Sequence, residues 1–214
     1  MKKEKLQQLR EDYSKSALDE SDILEDPVQQ FEKWMEEALK SEVPEPNAMT
    51  LSTVDMQQKP HSRVVLLKGI EDGNFIFFTN YASQKGEEME ENPNVALCFL
   101  WLELERQVRI EGEAEKLPGE QSLAYFKERP YKSQLGALAS NQSAVVPNRA
   151  FLEERFKELE GKYAEGEVPK PETWGGYKVK PEVFEFWQGR RSRLHDRIKY
   201  EKVGNKWDIK RLSP

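Results

Sequence analysis

NVALCFLWLELERQVRIEGEAEKL, residues 94–117, decides how this chain is read. Residues 94–104 are almost wholly apolar and carry the aromatic and β-branched side chains that favour strands. Residues 106–117 instead alternate. Gln107 and Arg109 fall on one face, and Val108 and Ile110 on the other. Two strands in hairpin succession predict antiparallel pairing.

Outward from this pair, strands are predicted at 48–55, 62–69, 74–80, 176–180 and 183–189. The turn former EDGN fills 71–74. A last hairpin joins 197–203 to 206–212 across Gly204-Asn205, a two-residue turn signature. A first helix begins where Asp26 can cap, Pro27 suits the first helical position and Gln29 completes a capping box. Val28, Phe31, Met35, Ala38 and Leu39 give its apolar spacing, to about Ser41. Short helices follow at 84–92, with Pro93 after the end, and at 119–129 and 131–140, meeting at Pro130. Another spans 148–159, with Phe151, Leu152, Phe156 and Leu159 inward and Gly161 at its end. Seven or eight short strands with four or five helices, in this order, predict an α+β protein. Its sheet is antiparallel, or a small barrel, with helices packed outside. A polar arm, 1–24, precedes one domain, 25–214.

Composition narrows the function. The 214 residues are 37% hydrophobic and carry a formal net charge of −6, which argues against a general nucleic-acid binder. No apolar run is long enough to span a bilayer, and the N-terminal stretch has no apolar core of a secretory signal. The single cysteine, Cys98, cannot form an internal disulfide and reads as a small buried side chain, so a reducing cytoplasmic setting is expected. Two histidines 134 positions apart and one cysteine make no zinc set, so no metal is expected.

Three stretches can carry chemistry. In SRVVLLKG (62–69), Arg63 and Lys68 differ in parity, so either they serve different groups or the strand bends between them. In YFKERPYKS (125–133), Tyr125 and Arg129 share a helical face and Ser133 follows the redirecting Pro130. A phenol, a guanidinium and a hydroxyl that converge would cradle a phosphate. In EFWQGRRSRLHDR (185–197), Arg193, His195 and Arg197 alternate, so an extended segment would project all three from one face. Flanking guanidiniums would then depress the pKa of His195 and keep it neutral. Each stretch also has a plainer reading: a buried strand with solvated ends, a helix end, and a solvated basic turn.

Taken together, SRVVLLKG, ERQVRIEG, YFKERPYKSQLGALASNQS, EVPKPETWGGYKVKPEVFEFWQGRRSRLHDR and the terminal RLSP resemble the pyridoxamine 5′-phosphate oxidase family, over about Arg10 to Pro214. The resemblance implies an FMN-binding split β-barrel with peripheral helices. It implies a homodimer with FMN between the subunits, and oxidation of pyridoxamine or pyridoxine 5′-phosphate to pyridoxal 5′-phosphate with dioxygen as acceptor. By motif, Arg63, Val64, Val65, Leu66, Leu67 and Lys68 line the flavin, with Phe78, Thr79, Gln107, Gln142, Ser143, Trp187 and Arg197. The family's SRKG element, which grips the FMN phosphate, is SQKG here. Lys85 matches it, but Gln84 replaces an arginine, so one charge-assisted contact is lost and weaker FMN affinity is expected. Lys68, Tyr125, Arg129 and Ser133 match the surroundings of the substrate phosphate, and Arg193 and His195 match residues over its pyridine ring. Arg10 and Tyr13 match an arm that closes on the substrate. Two rivals remain: a split-barrel flavoprotein with another substrate, and a non-catalytic carrier of pyridoxal phosphate.

Overall fold

A computed structural model describes residues 12–214. Among these residues the chain forms α1 (Pro27–Lys40), β1 (Ala48–Val54), β2 (Pro60–Leu66), β3 (Gly69–Glu71), β4 (Asn74–Asn80), α2 (Gln84–Glu91), β5 (Asn94–Trp101) and β6 (Arg106–Lys116). Then come α3 (Gly119–Glu128), α4 (Tyr131–Ala139), α5 (Arg149–Lys162), β7 (Trp174–Gln188), β8 (Asp196–Val203) and β9 (Lys206–Arg211). The strand order is β2-β1-β5-β6-β7-β4-β3, and β8 pairs with β7 and β9. The pairs β3–β4, β4–β7, β7–β8 and β8–β9 are all antiparallel.

The chain packs as two compact units. The first comprises the described residues up to Met49, Leu97–Glu111 and Glu182–Pro214. The second comprises Thr50–Ala96 and Gly112–Pro181.

In the first unit α1 supplies the apolar face. Asp26 caps it by accepting from Val28 N at 2.9 Å, and Pro27 opens it. Gln29 is exposed; it is Gln30 that turns inward, its side-chain oxygen accepting from Leu24 N at 3.0 Å. Phe31 packs edge-on against Phe99 at 4.8 Å, and Trp34 edge-on against Phe186 at 5.2 Å. Leu39, expected on this face, is 61% exposed, and Trp34 takes the inward place that the spacing gave to Met35. Beside Trp34 lies a buried cation. The Arg106 guanidinium sits 4.4 Å over the indole, donates to Gln188 at 2.8 Å and pairs with Glu37. A buried guanidinium is tolerated because each of these contacts replaces hydration it has lost.

The second unit holds α2 to α5 and the sheet strands that precede and follow them. Phe75, Phe77 and Val179 are fully buried. A separate small core joins Phe126, Leu135, Val168 and Trp174. Here α3 and α4 meet at Pro130, as the sequence predicts, and Phe126 and Leu135 seal the joint.

Several expectations change. The strand predicted over 94–104 stops at Trp101, where a 3-10 turn over Leu102–Leu104 takes over. The segments 176–180 and 183–189 are one strand, β7. Pro181 falls between the stretch paired to β4 and the stretch paired to β8, so its missing N–H interrupts neither of those ladders. Cys98 lies partly buried on the face of β5 opposite Leu97 and Phe99. Helix α5 runs through Gly161 to Lys162 and buries no residue fully; Phe151 is 42% exposed.

One close approach is diagnostic. A Cβ on Gly112 of β6 would stand 2.1 Å from the backbone oxygen of Lys180. Neither backbone can yield without breaking strand geometry. Gly112→Ala is therefore expected to cost about 1–3 kcal/mol or more, measured as a lowered midpoint in urea unfolding with an unchanged m-value.

Candidate functional site

The second unit carries a half-open cavity of about 1140 Å³. Eleven of the residues assigned by resemblance to the flavin line it: Arg63, Val64, Val65, Leu66, Lys68, Phe78, Thr79, Gln84, Lys85, Gln142 and Ser143. Leu67 points away and is buried in the core. Tyr125, Arg129 and Ser133 line the same cavity. Local structure answers the parity puzzle of Arg63 and Lys68. Strand β2 ends at Leu66, yet burial alternates without a break from His61 to Lys68, odd positions inward and even ones exposed, so Arg63 and Lys68 keep opposite faces while both border the cavity.

Two sets of cations face this space. The first is Arg63 with Lys85. Arg63 Nη1 donates to Thr53 Oγ1 at 2.5 Å, to His61 O at 3.2 Å and to Leu51 O at 3.4 Å. Its Nη2 reaches Glu88 Oε2 at 3.2 Å. Lys85 Nζ donates to Gln142 Oε1 at 2.9 Å and to Ser83 Oγ at 3.1 Å. Thr79 Oγ1 donates to the same Gln142 oxygen at 3.2 Å. Ser143, at a left-handed φ of 71°, accepts from Gln84 N at 3.2 Å. Burial, helped by the nearby Arg63 charge and opposed by Glu88, pulls the Lys85 ammonium down to about 8. A bound anion would reverse that shift.

The second set centres on Arg129. Its guanidinium lies 4.7 Å over the Trp174 ring and 5.8 Å from the Phe126 ring. Phe78 stacks on Tyr125 at 3.9 Å and on Trp174 at 5.4 Å. The Arg129 Nη1 atom is buried with no hydrogen-bond partner among the described residues. Burial lowers its pKa from the ordinary value, with the Tyr125 phenol opposing. A guanidinium placed by aromatic faces rather than by a carboxylate keeps its donors for a ligand.

The first unit carries the remaining candidates. Tyr13 stands edge-on to Trp187 at 5.7 Å and to His195 at 5.7 Å, and Trp187 lies 4.7 Å from His195. The segment after Tyr13 is tied down, since Ser14 N and Lys15 N donate to the Glu105 carboxylate at 2.8 and 2.9 Å. Leu18 N donates to Asp196 at 3.0 Å. His195 Nδ1 accepts from Arg190 N at 3.1 Å, which leaves the proton of the neutral ring on Nε2. Burial first, and Arg193 second, lower its pKa, while Asp196 opposes. Arg197 grips Glu185 through Nε at 2.8 Å and Nη2 at 3.1 Å, and donates to Ser213 O at 2.7 Å. The expected extended wall is not formed. Arg191–Arg193 make a 3-10 turn, with φ of 57° at Ser192 and 60° at Arg193, so the alternation of 193, 195 and 197 fails at its first member. Gln107 is half-buried on the face of β6 opposite Val108, as its alternation predicts. Arg10 lies outside the described residues.

Sequence reasoning missed His61, Glu88 and Trp174. His61 and Trp174 line the cavity, and Glu88 lies against Arg63. Trp174 sits inside a quoted motif without a role. Glu88 is hidden among Glu87, Glu90 and Glu91, although Lys85, Gly86, Glu88 and Met89 form the one buried face of α2.

An antiparallel α+β fold with a cation-lined cavity defines the class: a protein built to hold anionic ligands. The comparisons narrow it. The family model described as pyridoxamine 5′-phosphate oxidase matches residues 35–163, and the model of the pyridoxine 5′-phosphate oxidase C-terminal dimerisation region matches 174–214. A pyridoxine/pyridoxamine 5′-phosphate oxidase of Haemophilus influenzae is 53% identical over 98% of this chain and 99% of its own length. One from Burkholderia thailandensis is 51% identical, again over 98% and 99%. Among solved structures, PhzG of Burkholderia lata 383, in complex with tetrahydrophenazine-1-carboxylic acid, superposes with a TM-score of 0.87 at 30% identity, over 93% of this chain and 98% of that one. A pyridoxamine 5′-phosphate oxidase-related, FMN-binding protein of Nostoc punctiforme gives 0.71 at 14% identity, over 88% and 98%, and shows the shared split-barrel fold. The chain belongs to the pyridoxine/pyridoxamine 5′-phosphate oxidase family of oxidoreductases. No helix among the described residues is long and apolar enough to cross a membrane.

The unpartnered donor of Arg129 yields a test. Arg129→Met should weaken binding of a phosphomonoester by about 1.5–3 kcal/mol, or about ten- to 150-fold, in calorimetric titration. An unchanged affinity would mean that this guanidinium meets no ligand.

Proposed function

We propose that this protein is an FMN-dependent oxidase that converts pyridoxamine 5′-phosphate and pyridoxine 5′-phosphate to pyridoxal 5′-phosphate, with dioxygen as acceptor. The observation that carries this reading is the presence of two sets of cations in one cavity: Arg63 with Lys85, and Lys68 with Arg129. Two phosphate-bearing molecules held together need two such sets. The residues present fit a flavin mononucleotide. The volume of about 1140 Å³ exceeds that of a typical single-ligand pocket, roughly 300–1,000 Å³. Lys85, its charge destabilised by burial, gains most from an incoming phosphate.

In this reading Arg63, Lys85, Gln142 and Ser143 hold the FMN phosphate end. Val64, Val65, Leu66, Phe78 and Thr79 line the rest of that cavity; Leu67, Gln107, Trp187 and Arg197 are assigned to the flavin by the family resemblance alone. When bound, FMN would supply the two-electron acceptor for oxidation at the substrate C4′ carbon, with dioxygen as final oxidant reduced to hydrogen peroxide, and water would hydrolyse the imine from the amine to aldehyde and ammonia. The chain itself contributes positioning. Arg129, Lys68, Tyr125 and Ser133 fix the substrate phosphate. Arg193 and His195 orient the pyridine ring. With Nδ1 taken by Arg190 N–H, neutral His195 offers a donor, Nε2–H, rather than a base. Tyr13, docked beside His195, belongs to an arm over the substrate; Arg10 is assigned to that arm by resemblance alone. A homodimer with FMN at the subunit interface is part of the proposal, supported by the dimerisation-region match. The cytoplasm is its proposed compartment, in keeping with the single cysteine.

PhzG is a structural relative that keeps the fold with another bound compound. The oxidase reading is preferred because relatives of that name are over 50% identical along nearly the whole chain, against 30% for PhzG.

Aerobic turnover tests the function. Pyridoxamine 5′-phosphate should yield aldehyde and peroxide in equal amounts, and FMN binding without product would favour a carrier. Arg193→Ala and His195→Ala should each lose at least about tenfold in kcat/KM, an order typical of lost positioning, with flavin content unchanged. Normal kinetics in both would remove their orienting role. The Lys85 contribution to FMN affinity should be constant below its pKa of about 8 and fall as pH rises through it. The bound phosphate demands the charged ammonium, so above that pH binding must take up a proton. Lys85→Met should abolish this slope.

A further inference from the structure

Beside the first set of cations stands a carboxylate that the proposed reaction does not use. Glu88 is 4% exposed. It accepts from Thr53 Oγ1 at 2.5 Å, from Gln84 Nε2 at 2.9 Å and from Arg63 Nη2 at 3.2 Å, and His61 Nδ1 lies 2.7 Å from its Oε1. Burial alone would raise its carboxyl, but the bonds from Thr53 and Gln84, with His61 and Arg63, outweigh that and hold it below the ordinary value. It is thus a fixed negative charge at the wall where Arg63 and Lys85 present their positive charges.

Arg63 does not need this carboxylate for its orientation. Its Nη1 is already held by Thr53, His61 O and Leu51 O. Gln84, in contrast, spends a side-chain donor on Glu88. Glu88 therefore removes one positive charge and one amide donor from the set.

We propose that Glu88 is a resident counter-ion of the phosphate end of the cofactor site, and that it sets the affinity for FMN below what Arg63 and Lys85 alone would give. This rests on reading that set as the FMN phosphate site. An entering phosphate shares Arg63 with Glu88 and is repelled by it across a partly desolvated wall, where charge interactions are stronger than in water. Position 84 is coupled to the same charge. An arginine there would stand four residues before Glu88 on α2, the spacing of a helical ion pair, and Glu88 would capture it. Gln84 is therefore not a simple lost contact. Restoring the guanidinium has value only once the carboxylate is gone.

Glu88→Gln removes the charge and keeps the network. The new amide oxygen can accept from Thr53 and Arg63, and its nitrogen finds an acceptor in a rotated Gln84 amide. The test is FMN binding by the full-length apoprotein, read by quenching of flavin fluorescence at pH 7. Riboflavin, which lacks the phosphate, is titrated in parallel. Glu88→Gln should bind FMN about tenfold tighter than wild type, and Glu88→Asp, which keeps the charge, should stay within about threefold. Gln84→Arg alone should also stay within about threefold, whereas adding it to Glu88→Gln should gain about a further tenfold. Riboflavin affinity should move in none of them. Equal or weaker FMN binding by Glu88→Gln, or simple additivity of the two substitutions, would overturn the proposal and make Glu88 a structural prop. Parallel shifts with riboflavin would also overturn it. Wild-type protein that binds neither flavin would bring down the FMN reading itself, whereas wild-type FMN binding with an unchanged Glu88→Gln sinks only the role of Glu88.

Discussion

The organising constraint is a half-buried guanidinium held in place, among the described residues, without a carboxylate. Arg129 rests on the face of Trp174, and its Nη1 atom has no partner among them. Burying a cation in this way costs stability, and the aromatic face offsets only part of that cost. Its position needs α3 to stop at Glu128, Pro130 to redirect the chain, and β7 to begin at Trp174. The stacked Phe78, Tyr125 and Trp174 rings make that wall stiff. A rigid donor aimed into a cavity is prepared for an anion before the anion arrives, so little ordering is left for binding to do.

The other cation set is arranged differently. Arg63 is locked by three acceptors from neighbouring backbone and Thr53, and Lys85 is nine-tenths buried against Gln142 and Ser83. Here a countercharge is present in Glu88. One set is left bare and the other is partly neutralised. A tightly retained cofactor and an exchanging substrate make different demands, and this difference in charge balance is a physical handle on both.

Much of this was legible in the residues. The alternation in RQVRIEG places Gln107 and Arg109 outside and Val108 and Ile110 inside, as observed. The four-residue spacing of Tyr125 and Arg129 brings both to one cavity. What stayed hidden depended on tertiary context. Arg63 and Lys68 stay on opposite faces of the segment, as their parity says, so nothing local signals that both border one cavity. The left-handed turn at Ser192 and Arg193 has no glycine to announce it, so an extended reading of 193–197 was natural but wrong. Glu88 reads as one of several solvated acids, and only the fold shows it facing Arg63. The family resemblance names residues that the fold gathers along one cavity, while the contacts among them depend on tertiary structure.

In the proposed function, the cation-lined cavity holds a flavin that oxidises a phosphorylated pyridine substrate. The most direct measurement is anaerobic. Protein loaded with FMN is mixed with pyridoxamine 5′-phosphate, and the visible flavin absorption is followed before and after air is admitted. Bleaching, with recovery in air, is the predicted result. A flavin band that persists unchanged with substrate bound would contradict it.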